Sequence, residues 1–295
     1  MAKRTKDEKA SNTAGYTCFS RACATREKDE RFRGPDYMAE IFLPTFAKVI
    51  LNVPALRKAF MSKVAPSGIY EYVLARTKLL DETFLDGLTN RVYQIVLLGA
   101  GMDTRALRFA SKNRGTKIIE LDVEKTQHPK IEILSRKQVD LPDELVFASI
   151  DFNKQSISDV LMNAGYQRNQ QSLFLWEGVT MYLNSDAVDD TLAFIRESSR
   201  KGSRIAFDYI FASVLRQENK FYGEKEIFNT VSRAGEGWTF GIEAGKIEKY
   251  LTERGFKMVS HYTPSELEKR YFSADDGSII RRINGTHCIV QAEVN

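Results

Sequence analysis

The chain has 295 residues, 43% apolar and 28% charged, with 43 basic side chains against 39 acidic ones. Those proportions suit a soluble globular protein with a full core, and the length permits one large domain or two small ones. A net charge of +4 is too balanced to indicate a nucleic-acid partner, which usually calls for a concentrated basic face.

The N-terminus, MAKRTKDEK, carries charge with no apolar stretch behind it, so no secretory signal is expected. No apolar run approaches the ~20 residues that a bilayer crossing needs. Cys18, Cys23 and Cys288 form no paired spacing, and the three histidines sit at no metal-ligand spacing. A cytoplasmic protein without a metal site is the expectation.

Residues 1–34 are polar and end at Gly34-Pro35, which breaks any helix. Within them REKDERFR reads as a solvated face, with closure over a ligand as the rival reading. A loosely helical stretch follows, interrupted by Pro44 and Pro54. From 67 to 88 the spacing of Ile69, Tyr72, Val73, Leu80, Phe84 and Leu88 predicts a helix with one apolar face. Beyond it, strands are predicted at 93–98, 117–121, 145–150, 172–176, 204–209, 256–262 and 286–292. Helical patterns at 103–112, 125–138, 186–200 and 243–254 alternate with them. The expected fold class is α/β, a doubly wound, mostly parallel seven-stranded sheet with helices on both faces. Only a short helical piece separates the last two strands, so one of them is expected to run antiparallel at the sheet edge. Residues 211–241, aromatic and glycine-bearing, have no place in the sheet and read as a lid or substrate loop.

Ligands of such sheets lie beyond the carboxyl ends of the strands. The first of these turns is VLLGAGMDTRALRF, where Gly99 and Gly101 allow close approach of a ligand to the backbone. A dinucleotide fingerprint would place a third glycine where Thr104 stands. Asp103 puts a carboxylate where a pyrophosphate would rest, which argues against NAD and for an amino-bearing or cationic ligand. Asp122 ends the second strand, placed to take both ribose hydroxyls. Asp151 and Phe152 end the third, placed for an adenine amine and ring, and Glu177 ends the fourth. Arg76, on the apolar face of the 67–88 helix, needs an anionic partner, and an α-carboxylate offers a two-point one. Taken singly these residues have plainer readings: Asp103 as a helix cap, Arg76 as partner of an internal acid, and the others as strand-end acids. Taken together they describe S-adenosyl-L-methionine (SAM). Of the histidines, His128 reads as solvated, His287 as packed in a strand, and His261 as the candidate base.

VLLGAGMDTRALRF, ELD, IDF and LWEGVTMYL resemble the SAM-dependent methyltransferases of the leucine carboxyl methyltransferase type, with bacterial tetracenomycin-type carboxyl O-methyltransferases nearest in character. The N-terminal SNTAGYTCFSRACATRE and the ARTKLLDE around Arg76 extend the resemblance over residues 11 to about 210. It implies an N-terminal helical cap over 1–88 and a SAM-binding unit over 89–295 with its lid near 211–241. It also implies that Arg76 holds the methionyl carboxylate and that Gly99 and Gly101 line the methionyl part. Asp122 would hold the ribose, Asp151 and Phe152 the adenine, and Glu177 the floor near the amino group. Trp176 departs from the small residue expected before that glutamate.

The function so implied is O-methylation of a small-molecule acceptor, a carboxylate rather than a hydroxyl because no histidine–acid pair stands near the strand ends to serve as base. The alternatives are methylation of a protein C-terminal carboxylate, a SAM-binding RNA methyltransferase or regulator, and an NAD-type oxidoreductase. No membrane or nucleic-acid partner is expected.

Overall fold

The computed structural model describes residues 12–295 apart from 64, 153 and 236. The charged N-terminus discussed above, and so the first eleven residues of the expected cap, lie outside the described residues.

Seven strands form one sheet: β1 Gln94–Leu98, β2 Lys117–Asp122, β3 Leu145–Ser149, β4 Ser172–Trp176, β5 Arg204–Ile210, β6 Phe256–Tyr262 and β7 His287–Val294. The cap contributes the helices α1 Asn12–Ala24, α2 Thr45–Asn52, α3 Pro54–Lys63 and α4 Ile69–Thr89. Along the sheet follow α5 Arg105–Arg108, α6 Glu124–Arg136, α7 Ile157–Asn163 and α8 Ser185–Ser198. The C-terminal part adds α9 Ala212–Leu215, α10 Glu224–Ala234, α11 Ile247–Thr252 and α12 Pro264–Tyr271. Among the described residues no helix is long and apolar enough to cross a membrane.

Strand order is β3-β2-β1-β4-β5-β7-β6, with β1 to β5 parallel. The two innermost strands, QIVLL and SLFLW, are buried at every position, as a sheet covered on both faces requires. Helix α4 packs on that covered centre through Gly87. A Cβ there would stand 2.7 Å from Leu173 Cδ2 and 3.4 Å from Ile95 Cδ1, so glycine permits the contact.

Two sequence expectations are refined by the structure. The antiparallel strand is not at the edge: β7 inserts between β5 and β6 and runs against both. The helix expected over 103–112 is only the four residues of α5, followed by a 3₁₀ turn at Ala110–Lys112. The sequence SKNRG beyond it favours turns, and the Asn113 side chain accepts from the backbone of Gly115 and Thr116 instead of continuing a helix.

The segment 211–241 leaves the end of β5 and returns to it. Ala212 N–H donates to the Ile242 carbonyl at 3.0 Å, and Ile242 N–H to that of Ile210 at 3.0 Å. Between these pinned ends α10 buries Ile227 and Val231 against Ile69 and Val73 at the start of α4. The excursion is thus tied to the cap by an apolar contact over the carboxyl end of the sheet.

Candidate active site

The strand order reverses between β1 and β4, which leaves a crevice at their carboxyl ends. Gly99 and Gly101 turn the chain out of β1 with φ of 66° and 51°, the left-handed region where glycine costs least. Gly99 also lies directly beneath Val179, where a side chain would collide. Asp122 braces this turn from the neighbouring strand. Its Oδ2 accepts from Gly101 N–H at 2.5 Å and its Oδ1 from Val123 N–H at 2.7 Å. Each oxygen keeps a further lone pair for a ligand.

A cavity of about 640 Å³ opens over the crevice. Arg76, Gly99, Gly101 and Asp103 line it, and so do Asp122, Asp151, Phe152 and Glu177. The eight residues singled out as cofactor contacts therefore share one chamber. The ninth candidate does not join them: His261 lies on β6, half-buried, with Nε2 2.9 Å from the Tyr209 hydroxyl, and is absent from the cavity wall. The histidine that reaches the wall is His287, which opens β7 beside Tyr72 and Trp238.

Beneath the cavity floor runs a buried ionic network. Arg76 Nη1 donates to Asp208 Oδ2 at 2.7 Å, and its Nε stands 2.9 Å from Glu177 Oε1. The other Glu177 oxygen accepts from Arg105 Nη1 at 2.8 Å. Arg105 also pairs with Asp103 and, through Nε at 2.8 Å, with Asp81. Arg108 then joins Asp81 to Asp36, which Arg21 reaches at 2.9 Å. Asp208 is fully enclosed and also accepts from the Tyr72 hydroxyl at 2.8 Å and from Gly178 N–H at 2.6 Å. Arg76 thus has two internal acids as partners, while its Nη2 takes part in neither pair.

Formal charge in this network does not balance. Arg21, Arg76, Arg105 and Arg108 face Asp36, Asp81, Asp103, Glu177 and Asp208, leaving one acid in excess before Asp122 is added. Burial opposes ionisation of Glu177, but Arg105, Arg76 and Arg21 outweigh it and hold the carboxyl at about 2. Asp103 is likewise lowered, with Arg105 overcoming the cost of burial. Burial instead raises Asp122, partly offset by its two backbone donors. A surplus of negative charge in a partly desolvated chamber favours a cation and disfavours phosphate.

Asp103 combines both of its sequence readings. Its Oδ1 accepts from Arg105 N–H at 2.7 Å, so it does satisfy the start of α5, and it still lines the cavity. Asp151, at the mouth, pairs with Lys154 at 2.9 Å and lies next to Phe152, whose ring centroid is 6.5 Å from that of Trp176. Sequence reasoning missed Asp208, Asp81 and Asp36, and with them Arg21, Arg105 and Arg108. Asp208 carried a signal, an acid inside the apolar strand RIAFDYI, which has to be paired if buried.

The sequence profile of the leucine carboxyl methyltransferase family matches residues 14–196, more than half the chain. The chain is 24% identical over 218 residues to the Bacillus subtilis protein YktD, covering 73% of this chain and 71% of that one. With the Streptomyces avermitilis protein SAV474 it shares 32% over 185 residues, covering 63% and 64%. With the Streptomyces coelicolor protein SCO7813 it shares 34% over 133 residues, covering 45% and 46%. All three are named "putative S-adenosyl-L-methionine-dependent methyltransferase". With its glycine turn, its strand-end acids and this match in hand, the chain belongs to the leucine carboxyl methyltransferase family.

Proposed function

We propose that this SAM-dependent methyltransferase methylates a carboxylate of a small-molecule acceptor. The observation that carries the reading is the single chamber in which the turn at Gly99 and Gly101, the strand-end acids Asp122, Asp151 and Glu177, and Arg76 all meet. In this reading Asp122 uses its remaining lone pairs on the ribose diol, Asp151 takes the adenine amine, and Phe152 covers the ring. Glu177, held ionised by two arginines, sets a negative floor for the amino group. Arg76 presents its Nη2 side to the methionyl carboxylate.

When bound, SAM supplies a methyl carbon that an acceptor oxygen attacks while the carbon–sulfur bond breaks and its electron pair passes to the sulfur. The protein's share is alignment and exclusion of water. Helix α10 and Trp238 serve the second task, because they lie across the chamber and are tied to α4 by Ile227 and Val231.

The choice of a carboxylate over a hydroxyl rests on the bases present. Burial pushes His287 down to about 4, so it is unprotonated at neutral pH but too weak to draw a proton from a phenol or alcohol. An acceptor that arrives ionised needs no base. Incubation of the protein with methyl-labelled SAM and a library of small acids, phenols and alcohols tests this. Label that becomes volatile methanol on mild alkaline treatment marks a methyl ester. Label confined to alkali-stable ethers would rule out the carboxylate reading.

A further inference from the structure

The cap helices α2 and α3 carry apolar side chains on both of their faces. Inwards, α2 buries Ala47 and Leu51, and α3 is held to α1 by the Phe60 ring, set edge-on to Phe19 at a centroid distance of 4.8 Å. Outwards stand Phe46, Val49, Val53 and Leu56, exposed by 70%, 54%, 41% and 47%. Their steps of three, four and three residues place them in one stripe along the two helices. Arg57 Nη1 donates to the Leu51 carbonyl at 2.6 Å and braces the bend between them. Single exposed apolar residues are ordinary, but four on successive turns mark an interaction surface. The charge around the stripe is one-sided. Between Glu40 and Glu71 the chain has no acidic residue, where its average content would place about four, yet it has Lys48, Arg57, Lys58 and Lys63. Lys48 and Lys58 form no ion pair with a described residue. The balanced net charge of the whole chain conceals this local excess.

We propose that α2 and α3 form a docking surface for an anionic lipid bilayer, with Phe46, Val49, Val53 and Leu56 entering the headgroup region and the flanking cations meeting the lipid phosphates. At 8 and 10 residues the helices are far too short to cross a bilayer, so the contact is peripheral. An apolar stripe flanked by lysine and arginine is the pattern of a helix lying in a membrane interface, where each nearby cation adds to the attraction. A second copy of the chain fits this face less well. A two-fold axis would set Lys48, Arg57 and Lys58 of one copy against those of the other, with no acid between them. A protein partner fits less well too. None of the four apolar residues lines the chamber or the cavity of about 410 Å³ beside Tyr70, so the stripe offers no pocket for an anchoring side chain, which a fluid bilayer does not need. Pro66, three residues beyond α3, lines the chamber, so docking seats the bilayer beside the segment that enters the chamber wall.

The test is flotation of the whole protein with vesicles of phosphatidylcholine alone and of phosphatidylcholine with about 30% phosphatidylglycerol, at low salt and in about 0.5 M NaCl. Wild type is expected to float with the anionic vesicles at least about tenfold more than with the neutral ones at low salt, and high salt should remove most of that binding. Phe46→Gln/Leu56→Gln removes half of the stripe, and Lys48→Glu/Lys58→Glu reverses the unpaired cations; each is expected to lower the anionic partition about tenfold or more. Arg200→Glu/Lys201→Glu reverses two exposed cations on the turn before β5, towards the far end of α4, where Arg204 meets Asp86, and should float like wild type. A melting temperature near that of wild type shows each variant to be folded, and if one of the first two fails to fold the other decides. The inference is overturned if wild type floats with neither vesicle, which is what an acidic protein partner would give, or equally with both. It is also overturned if either folded variant of the face floats like wild type, or if the Arg200/Lys201 variant loses as much as they do. Size-exclusion chromatography adds the last outcome: a dimer that Phe46→Gln/Leu56→Gln breaks makes the face an interface between copies and overturns the lipid assignment.

Discussion

Replacing Arg76 by alanine removes a side chain of the cap helix that joins Glu177, just beyond β4, to Asp208 within β5. The cost can be worked from its partners. Glu177 is held at about 2, and the gap from an ordinary glutamate at 4.5 corresponds to about 3 kcal/mol. Arg105 supplies the largest favourable share and Arg76 the next, so part of it goes with Arg76. Asp208 loses more, because it is fully enclosed and would keep only the Tyr72 hydroxyl and Gly178 N–H as partners. Breaking a buried pair of this kind costs about 3–5 kcal/mol, which in a chain of this size lowers the melting temperature by roughly 10 °C. Urea unfolding of wild type and Arg76→Ala, without ligand, measures that loss. Calorimetry then separates structural from ligand roles. If Nη2 meets the methionyl carboxylate, the variant loses more affinity for SAM than for decarboxylated SAM, and Arg76→Lys restores only part, since an ammonium lacks the planar two-point geometry. Equal losses for the two ligands would refute the carboxylate contact, and unchanged urea stability would refute the buried network.

Asp122→Asn should weaken binding of S-adenosylhomocysteine (SAH) by about tenfold or more through lost charge-assisted hydrogen bonds, and should cost about 1–3 kcal/mol of stability because the single amide oxygen can accept from only one of the Gly101 and Val123 N–H groups; normal SAH affinity would make Asp122 a brace and nothing more. For Glu177 the folded carboxyl lies below its unfolded value, so its contribution is complete above about 4.5 and is lost as pH falls towards about 2. Acid titration of stability should therefore show a smaller loss over that window in Glu177→Gln than in wild type, and identical slopes would contradict the assignment. The three cysteines are buried thiols, Cys18 raised to about 11 and Cys23 and Cys288 to about 12, chiefly by burial. Iodoacetamide at pH 8 should label them at the rate of unfolding, and rapid labelling of native protein, read by mass spectrometry, would disprove their enclosure.

Legibility in the sequence followed the periodicity of each segment. The central strands β1 and β4 were readable because parallel strands buried on both faces are short, unbroken apolar runs between turns, and the outer strands β3 and β6 because they too are short runs rich in apolar residues. Helix α4 was readable from its three- and four-residue steps, and the strand-end acids from their position after such runs. What escaped were contacts between distant segments. Nothing local says that Asp208 and Arg76, 132 residues apart, meet at 2.7 Å. Nor did local pattern place β7 between β5 and β6, because antiparallel order depends on which edge remains free once the parallel core has formed. His261 and His287 show the same limit: both lie on adjoining C-terminal strands, and only the third dimension turns one towards Tyr209 and the other towards the cavity.

The most direct test of the account is a calorimetric titration of the protein with SAH and, separately, with NAD. The acid-rich turn around Gly99, Gly101 and Asp103 and the surplus negative charge beneath it predict micromolar binding of SAH and none of NAD. Binding of NAD with no heat from SAH would contradict the account at its centre.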